Sequence, residues 1–114
     1  MKIAFILDPL DSIKTYKDSS FAMMREAVAR AHRIWSIQQE ELLWREGRVQ
    51  AYARELKLTG DAYRWYEAGE PALQSLGAFD AVLMRKDPPF DMEYVYSTYL
   101  LELAQKEGAR VYNH

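Results

Sequence analysis

The chain has 114 residues, nearly half of them hydrophobic and about a quarter charged, a length and balance that fit one folded domain and are too small for two. Its net charge of −2 gives no reason to expect nucleic acid or an anionic membrane as partner. The absence of cysteine excludes a disulfide, a thiolate nucleophile and any Cys-type zinc site.

Ile3 to Leu7 is a continuous apolar run stopped by Asp8-Pro9, the pattern of a strand buried on both faces. The run is too short for a signal-peptide core or a membrane span, so a cytoplasmic protein is expected. Asp8 to Asp18 is polar and irregular, a long connection of the kind that more often carries function than not. Asp18, Ser19 and Ser20 offer N-cap side chains ahead of Phe21, Met24, Ala27, Val28 and Ala31, which share one helical face. A helix from about Ser20 to His32 is expected. Its leading amides, with Lys17 beside them, suit an anion; the alternative is plain capping by Asp18 or Ser19 with nothing bound.

Ile34 to Ile37 is a second strand, completing a right-handed strand-helix-strand unit. Gln38 to Leu43 has room for a helical turn. Leu42 to Trp44 and Val49 to Leu58 then read as a hairpin turning at Gly47, with Tyr52, Leu56 and Leu58 on one face and Val49, Ala51 and Ala53 on the other. The helix-forming residues of Gln50 to Leu58 leave a helix open there. Asp61 to Ala68, with Tyr63, Trp65 and Tyr66, suits a further strand whose aromatics serve core or subunit-interface packing better than base stacking. Pro71 to Leu76 has room for one helical turn.

Ala81 to Met84 is the third parallel strand, running into Arg85, Lys86 and Asp87 and then two prolines. Asp91 is placed to cap a helix in which Met92, Val95, Tyr96, Tyr99, Leu100, Leu103 and Ala104 repeat at helical spacing, with Gly108 as its C-terminal glycine. Ala109 to Tyr112 begins a last strand, an ending that suggests the first part of something longer. The expected fold class is α/β. A mainly parallel sheet is flanked by helices, with an antiparallel hairpin insertion at about 42 to 68.

The five glycines never approach a phosphate-binding loop. His32, near a helix end, and His114, at the chain end, make a weak metal case; a capping role suits His32 better than catalysis. Glu40-Glu41 is most simply a solvated face. Ligands of parallel sheets gather outside the carboxyl ends of the strands. If the first and third parallel strands are neighbours, Lys17, Asp18, Ser19 and Ser20 converge there with Arg85, Lys86 and Asp87. Such a crevice suits a small ligand bearing carboxylate and ammonium groups, since Arg grips a carboxylate and Asp pairs with an amine. Equally, the charges of the second loop would serve to position that loop.

These two motifs, KDSSFAM at Lys17 to Met23 and MRKDPPFD at Met84 to Asp91, together with the opening KIAFILDP and the closing GARVYN, resemble the N-terminal domain of bacterial glutathione synthetase. The resemblance covers almost the whole chain in order; Ile34 to Gly77 matches loosely. It implies a Rossmann-like, pre-ATP-grasp fold and a parent enzyme that joins γ-glutamylcysteine to glycine with ATP and Mg2+ (or Mn2+) through an acyl phosphate. It also implies a homo-oligomer, and an ATP-grasp region after residue 114 that carries the ATP and metal sites. By this resemblance residues 1 to 114 hold no cofactor and are catalytically incomplete alone. They supply candidate substrate contacts at Lys17, Asp18, Ser19, Ser20, Arg85, Lys86 and Asp87, toward the γ-glutamylcysteine end. The alternative function is a non-catalytic interaction or dimerisation module whose aromatic insertion forms the dimer face.

Overall fold

The computed structural model describes residues 1–86 and 92–113. The expectations for Asp87, the proline pair, the cap at Asp91 and His114 lie outside the described residues. Strand β1 (Lys2–Leu7) leads through a single 3-10 turn at Leu10–Ser12 to helix α1 (Ser19–Ala29), and β2 (Arg33–Gln38) returns parallel to β1. A 3-10 turn at Gln39–Glu41 follows, closed by the Gln38 amide donating to Glu41 Oε1 at 2.9 Å. The hairpin β3 (Leu42–Arg45) and β4 (Arg48–Leu58) turns at Glu46 and Gly47, both with positive φ (54° and 77°), the primed turn that suits strand twist. Strands β5 (Tyr66–Ala68) and β6 (Ala72–Ser75) both pair antiparallel with β4. After a 3-10 turn at Leu76–Ala78, β7 (Ala81–Met84), α2 (Met92–Lys106) and β8 (Val111–Asn113) complete the chain.

The result is a mixed α/β fold with one curled sheet. Its parallel part has the order β2-β1-β7-β8, and β4 joins β2 antiparallel. Side chains alternate across the sheet, so each face feeds its own core. Ala4, Ile6, Trp35, Ile37, Val82 and Met84 pack with Leu100, Leu101 and Ala104 of α2. On the opposite face Phe5, Leu7, Ile34 and Leu56 pack with Met24 and Ala27 of α1 and with Trp65. The two faces expected of β4 are observed. Val49, Ala51 and Ala53 are buried on the α2 side and Leu56 on the α1 side, while Tyr52 is exposed.

Four expectations are corrected. Helix α1 stops at Ala29 rather than near His32, because Ala31 turns left-handed (φ 65°) and the amides of Ala31 and His32 bond back to Val28 O and Ala27 O at 2.9 and 3.0 Å. The strand expected over Asp61 to Ala68 is limited to Tyr66–Ala68. Asp61 Oδ1 accepts from the amides of Tyr63 (2.7 Å) and Arg64 (2.8 Å), and this local turn outcompetes pairing. The helical turn expected over Pro71 to Leu76 is instead mostly β6, because an open edge of β4 takes it as a partner. The antiparallel insertion therefore runs to Ser75. Lastly, His32 serves the end of α1 through its backbone amide rather than its ring, whose Nδ1 accepts from the Met1 amino group at 3.1 Å.

Candidate functional site

Because β1 and β7 are neighbours, with Ile6 opposite Met84, their carboxyl ends open at the same edge of the sheet. There the segment after β1, the start of α1 and the segment after β7 enclose a cleft of about 430 Å3. Leu7 and Ile13, both buried, form its apolar floor, and Asp8, Lys14, Lys17, Asp18, Ser19, Ser20 and Arg85 line its walls.

The carboxylates are tied down. Asp18 Oδ1 accepts from the amides of Ser20 (2.7 Å) and Phe21 (3.3 Å), and its carbonyl accepts from Ala22 N at 3.3 Å, which is the capping alternative for this residue. Asp8 Oδ1 accepts from Lys86 Nζ at 2.8 Å. Arg85 is held by its backbone amide on Ile6 O at 2.9 Å, while its side chain donates from Nε to Ser20 Oγ (3.1 Å) and from Nη2 to Ser19 Oγ (2.7 Å). The two loops expected to converge are thus bonded to each other through Arg85 to α1 and Lys86 to Asp8.

Of the residues singled out from sequence, Lys17, Asp18, Ser19, Ser20 and Arg85 meet in the cleft. Lys86 stands one bond behind it, on Asp8, and Asp87 lies outside the described residues. Sequence reasoning missed Asp8, Ser12 and Lys14. Asp8 had a usable signal, since it directly follows a buried parallel strand, the position that faces a ligand edge. With Lys14, Lys17 and Arg85 against Asp8 and Asp18, the lining carries three cations and two anions. That arrangement can bind a small anion through charge and hydroxyl donors. Among the described residues no three His, Cys, Asp or Glu side chains are grouped to hold a metal ion, and no helix is long and apolar enough to cross a membrane.

Comparison with known proteins gives a consistent result. A family model described as "Prokaryotic glutathione synthetase, N-terminal domain" matches residues 1–114. The chain is 60% identical over 117 residues to a glutathione synthetase of Nitrosomonas europaea and 58% identical over 113 residues to one of Ralstonia nicotianae, covering 99% of this chain in each case. A glutathione synthetase of Pseudomonas putida is 46% identical over 113 residues. The matches cover 36%, 35% and 36% of those relatives, so the chain spans about a third of their length. With every residue matched and the cleft motifs lying inside the match, this chain belongs to the prokaryotic glutathione synthetase N-terminal domain family.

Proposed function

We propose that residues 1–114 are a single Rossmann-like, pre-ATP-grasp domain of a cytoplasmic, homo-oligomeric glutathione synthetase, the ATP-dependent ligase that joins γ-glutamylcysteine to glycine. In this reading the domain contributes the wall that holds γ-glutamylcysteine. The observation that carries it is the cleft between the ends of β1 and β7, where Lys14, Lys17 and Arg85 stand over two carboxylates already engaged within the protein. γ-Glutamylcysteine carries two carboxylates and one ammonium near neutral pH, and a surplus of cations complements it. The reading assigns ATP and Mg2+ (or Mn2+) to the remainder of the parent chain. The domain alone is then catalytically incomplete.

Lys17→Glu in the full-length parent tests this reading by steady-state kinetics. The KM for γ-glutamylcysteine should rise about tenfold, the scale of one charged contact, while the KM for ATP stays within about twofold. An unchanged KM for γ-glutamylcysteine would remove the cleft from substrate binding.

A second reading, an interaction module, draws on a different place from the aromatic insertion first considered. Trp65 is 2% exposed, its ring edge-on to Phe21 at 5.3 Å, and so is core rather than interface. Val95, Tyr96 and Tyr99 are exposed together on α2 and offer a face to a second copy of the chain. Sedimentation over a concentration series, with and without Tyr99→Glu, tests this face: a species that is monomeric throughout, or self-association that Tyr99→Glu leaves unchanged, sinks it.

A further inference from the structure

The side chain of Arg85 makes two hydrogen bonds to neutral hydroxyls on successive residues of α1, at 3.1 Å to Ser20 Oγ and 2.7 Å to Ser19 Oγ. This geometry commits Nε and Nη2, the pair of nitrogens with which a guanidinium commonly forks a carboxylate. It also constrains the serines. A hydroxyl whose lone pair receives a cationic N–H turns its own O–H away from that cation, and the polarisation strengthens it as a donor. Ser20 is buried, with 5% of its surface exposed, whereas Ser19 is exposed on the wall of the cleft. The helix amides of Ser20, Phe21 and Ala22 are turned to Asp18, so they do not compete for the same role. Ser19 is therefore the group at this corner placed to present a donor to a ligand.

Resting on the reading that the cleft holds γ-glutamylcysteine, we propose that Arg85 is a positioning residue that acts on the substrate through Ser19. It fixes the Ser19 hydroxyl as a hydrogen-bond donor to a substrate carboxylate and does not itself bind that carboxylate. The separation of roles is testable because two groups acting in series give non-additive losses, whereas two independent contacts give additive ones.

The experiment is a double-mutant cycle in the full-length enzyme, with γ-glutamylcysteine varied at saturating ATP and glycine. Ser19→Ala should raise the KM about tenfold, with kcat within about twofold, and Ser19→Thr, which restores a hydroxyl, should recover most of the loss. Arg85→Met, which keeps the length of the side chain and removes its donors to Ser19 and Ser20, should raise the KM by a similar factor in the wild-type background and by little in the Ser19→Ala background. A full additional rise in that background would show Arg85 reaching the substrate itself and would overturn the proposal, as would Ser19→Thr behaving like Ser19→Ala. If Lys17→Glu changes the KM and Ser19→Ala does not, this inference alone fails; if neither does, the reading of the cleft fails with it.

Discussion

Asp18 serves the first turn of α1 with one carboxylate oxygen and two amides. Asp18→Ala should lower stability by about 1 kcal/mol, the usual cost of losing an N-cap, measured as a shift in urea midpoint at unchanged slope. A second residue-scale prediction concerns acid. Arg33 Nε and Nη2 fork the Glu55 carboxylate at 2.8 and 2.9 Å, and these hydrogen bonds hold Glu55 below the usual carboxylate range. A depressed folded value means that the unfolded chain takes up the proton first as pH falls. The stability supplied by this pair is therefore complete above about pH 4.3 and is lost as pH drops through the lower folded value. Glu55→Gln should flatten the acid limb of the stability profile below that point and leave its neutral part nearly level, because the pair is solvent-exposed. At this scale the sequence was informative where a side chain has a stereotyped local task. Lys17, Asp18, Ser19, Ser20 and Arg85 were all visible, the first four as a helix start and the last as a strand end. The contacts that join them across 65 and 66 residues were not visible, since nothing local encodes that Arg85 meets two serines. The pairing of Asp8 with Lys86 was hidden for the same reason.

Both helices end in the same way. In α2 the amides of Gly108 and Ala109 bond back to Gln105 O and Ala104 O at 3.0 and 2.9 Å, with Gly108 at φ 102°; in α1 the equivalent left-handed position is Ala31 at φ 65°. The glycine announced the end of α2, whereas the alanine hid the end of α1, so the helix read from sequence overran. The same contrast gives a prediction. Ala31→Gly should stabilise the protein by up to about 1 kcal/mol by removing the left-handed strain, seen as a higher midpoint in thermal or urea unfolding. The aromatic segment misled for a related reason: Tyr63, Trp65 and Tyr66 have strand composition, but the Asp61 turn takes Tyr63 out to 94% exposure and sends Trp65 inward. Trp65→Ala should consequently cost about 3 to 5 kcal/mol, as for a large core aromatic, and a change within 0.5 kcal/mol would contradict the burial. For α2 the helical period was legible, and Leu100, Leu103 and Ala104 of the expected face do pack on the core with Ser97 and Leu101 beside them, but Val95, Tyr96 and Tyr99 of that face are exposed. Periodicity reports that a helix has an apolar side; which of two adjoining apolar sides is covered depends on the sheet beneath.

Across the whole molecule, the parallel strands were the most legible part, because continuous apolar runs such as Ile3 to Leu7 and Ala81 to Met84 have few other uses. Strands β5 and β6 were least legible: they are three and four residues long, and their identity comes from the open edge of β4 rather than from their own letters. Unfolding should show one transition. Trp35 lies in the core under α2 and Trp65 in the core under α1, so each can report on one side. Leu100→Ala should lower stability by about 2 to 5 kcal/mol and move the midpoint seen by Trp65 as far as that seen by Trp35. Separate midpoints would mean that the two cores melt independently.

The alternation along β4 is the reason to expect a shared transition. Val49, Ala51 and Ala53 belong to the core that includes α2 and Leu56 to the core that includes α1, eleven residues of one strand serving both sides. Such a strand acts as a mechanical tie: neither side can loosen without pulling a rung out of the other. The cleft at the end of β1 and β7 thereby inherits the stiffness of the entire domain, and a packing defect on the far face of the sheet should be felt at Arg85 without any direct contact.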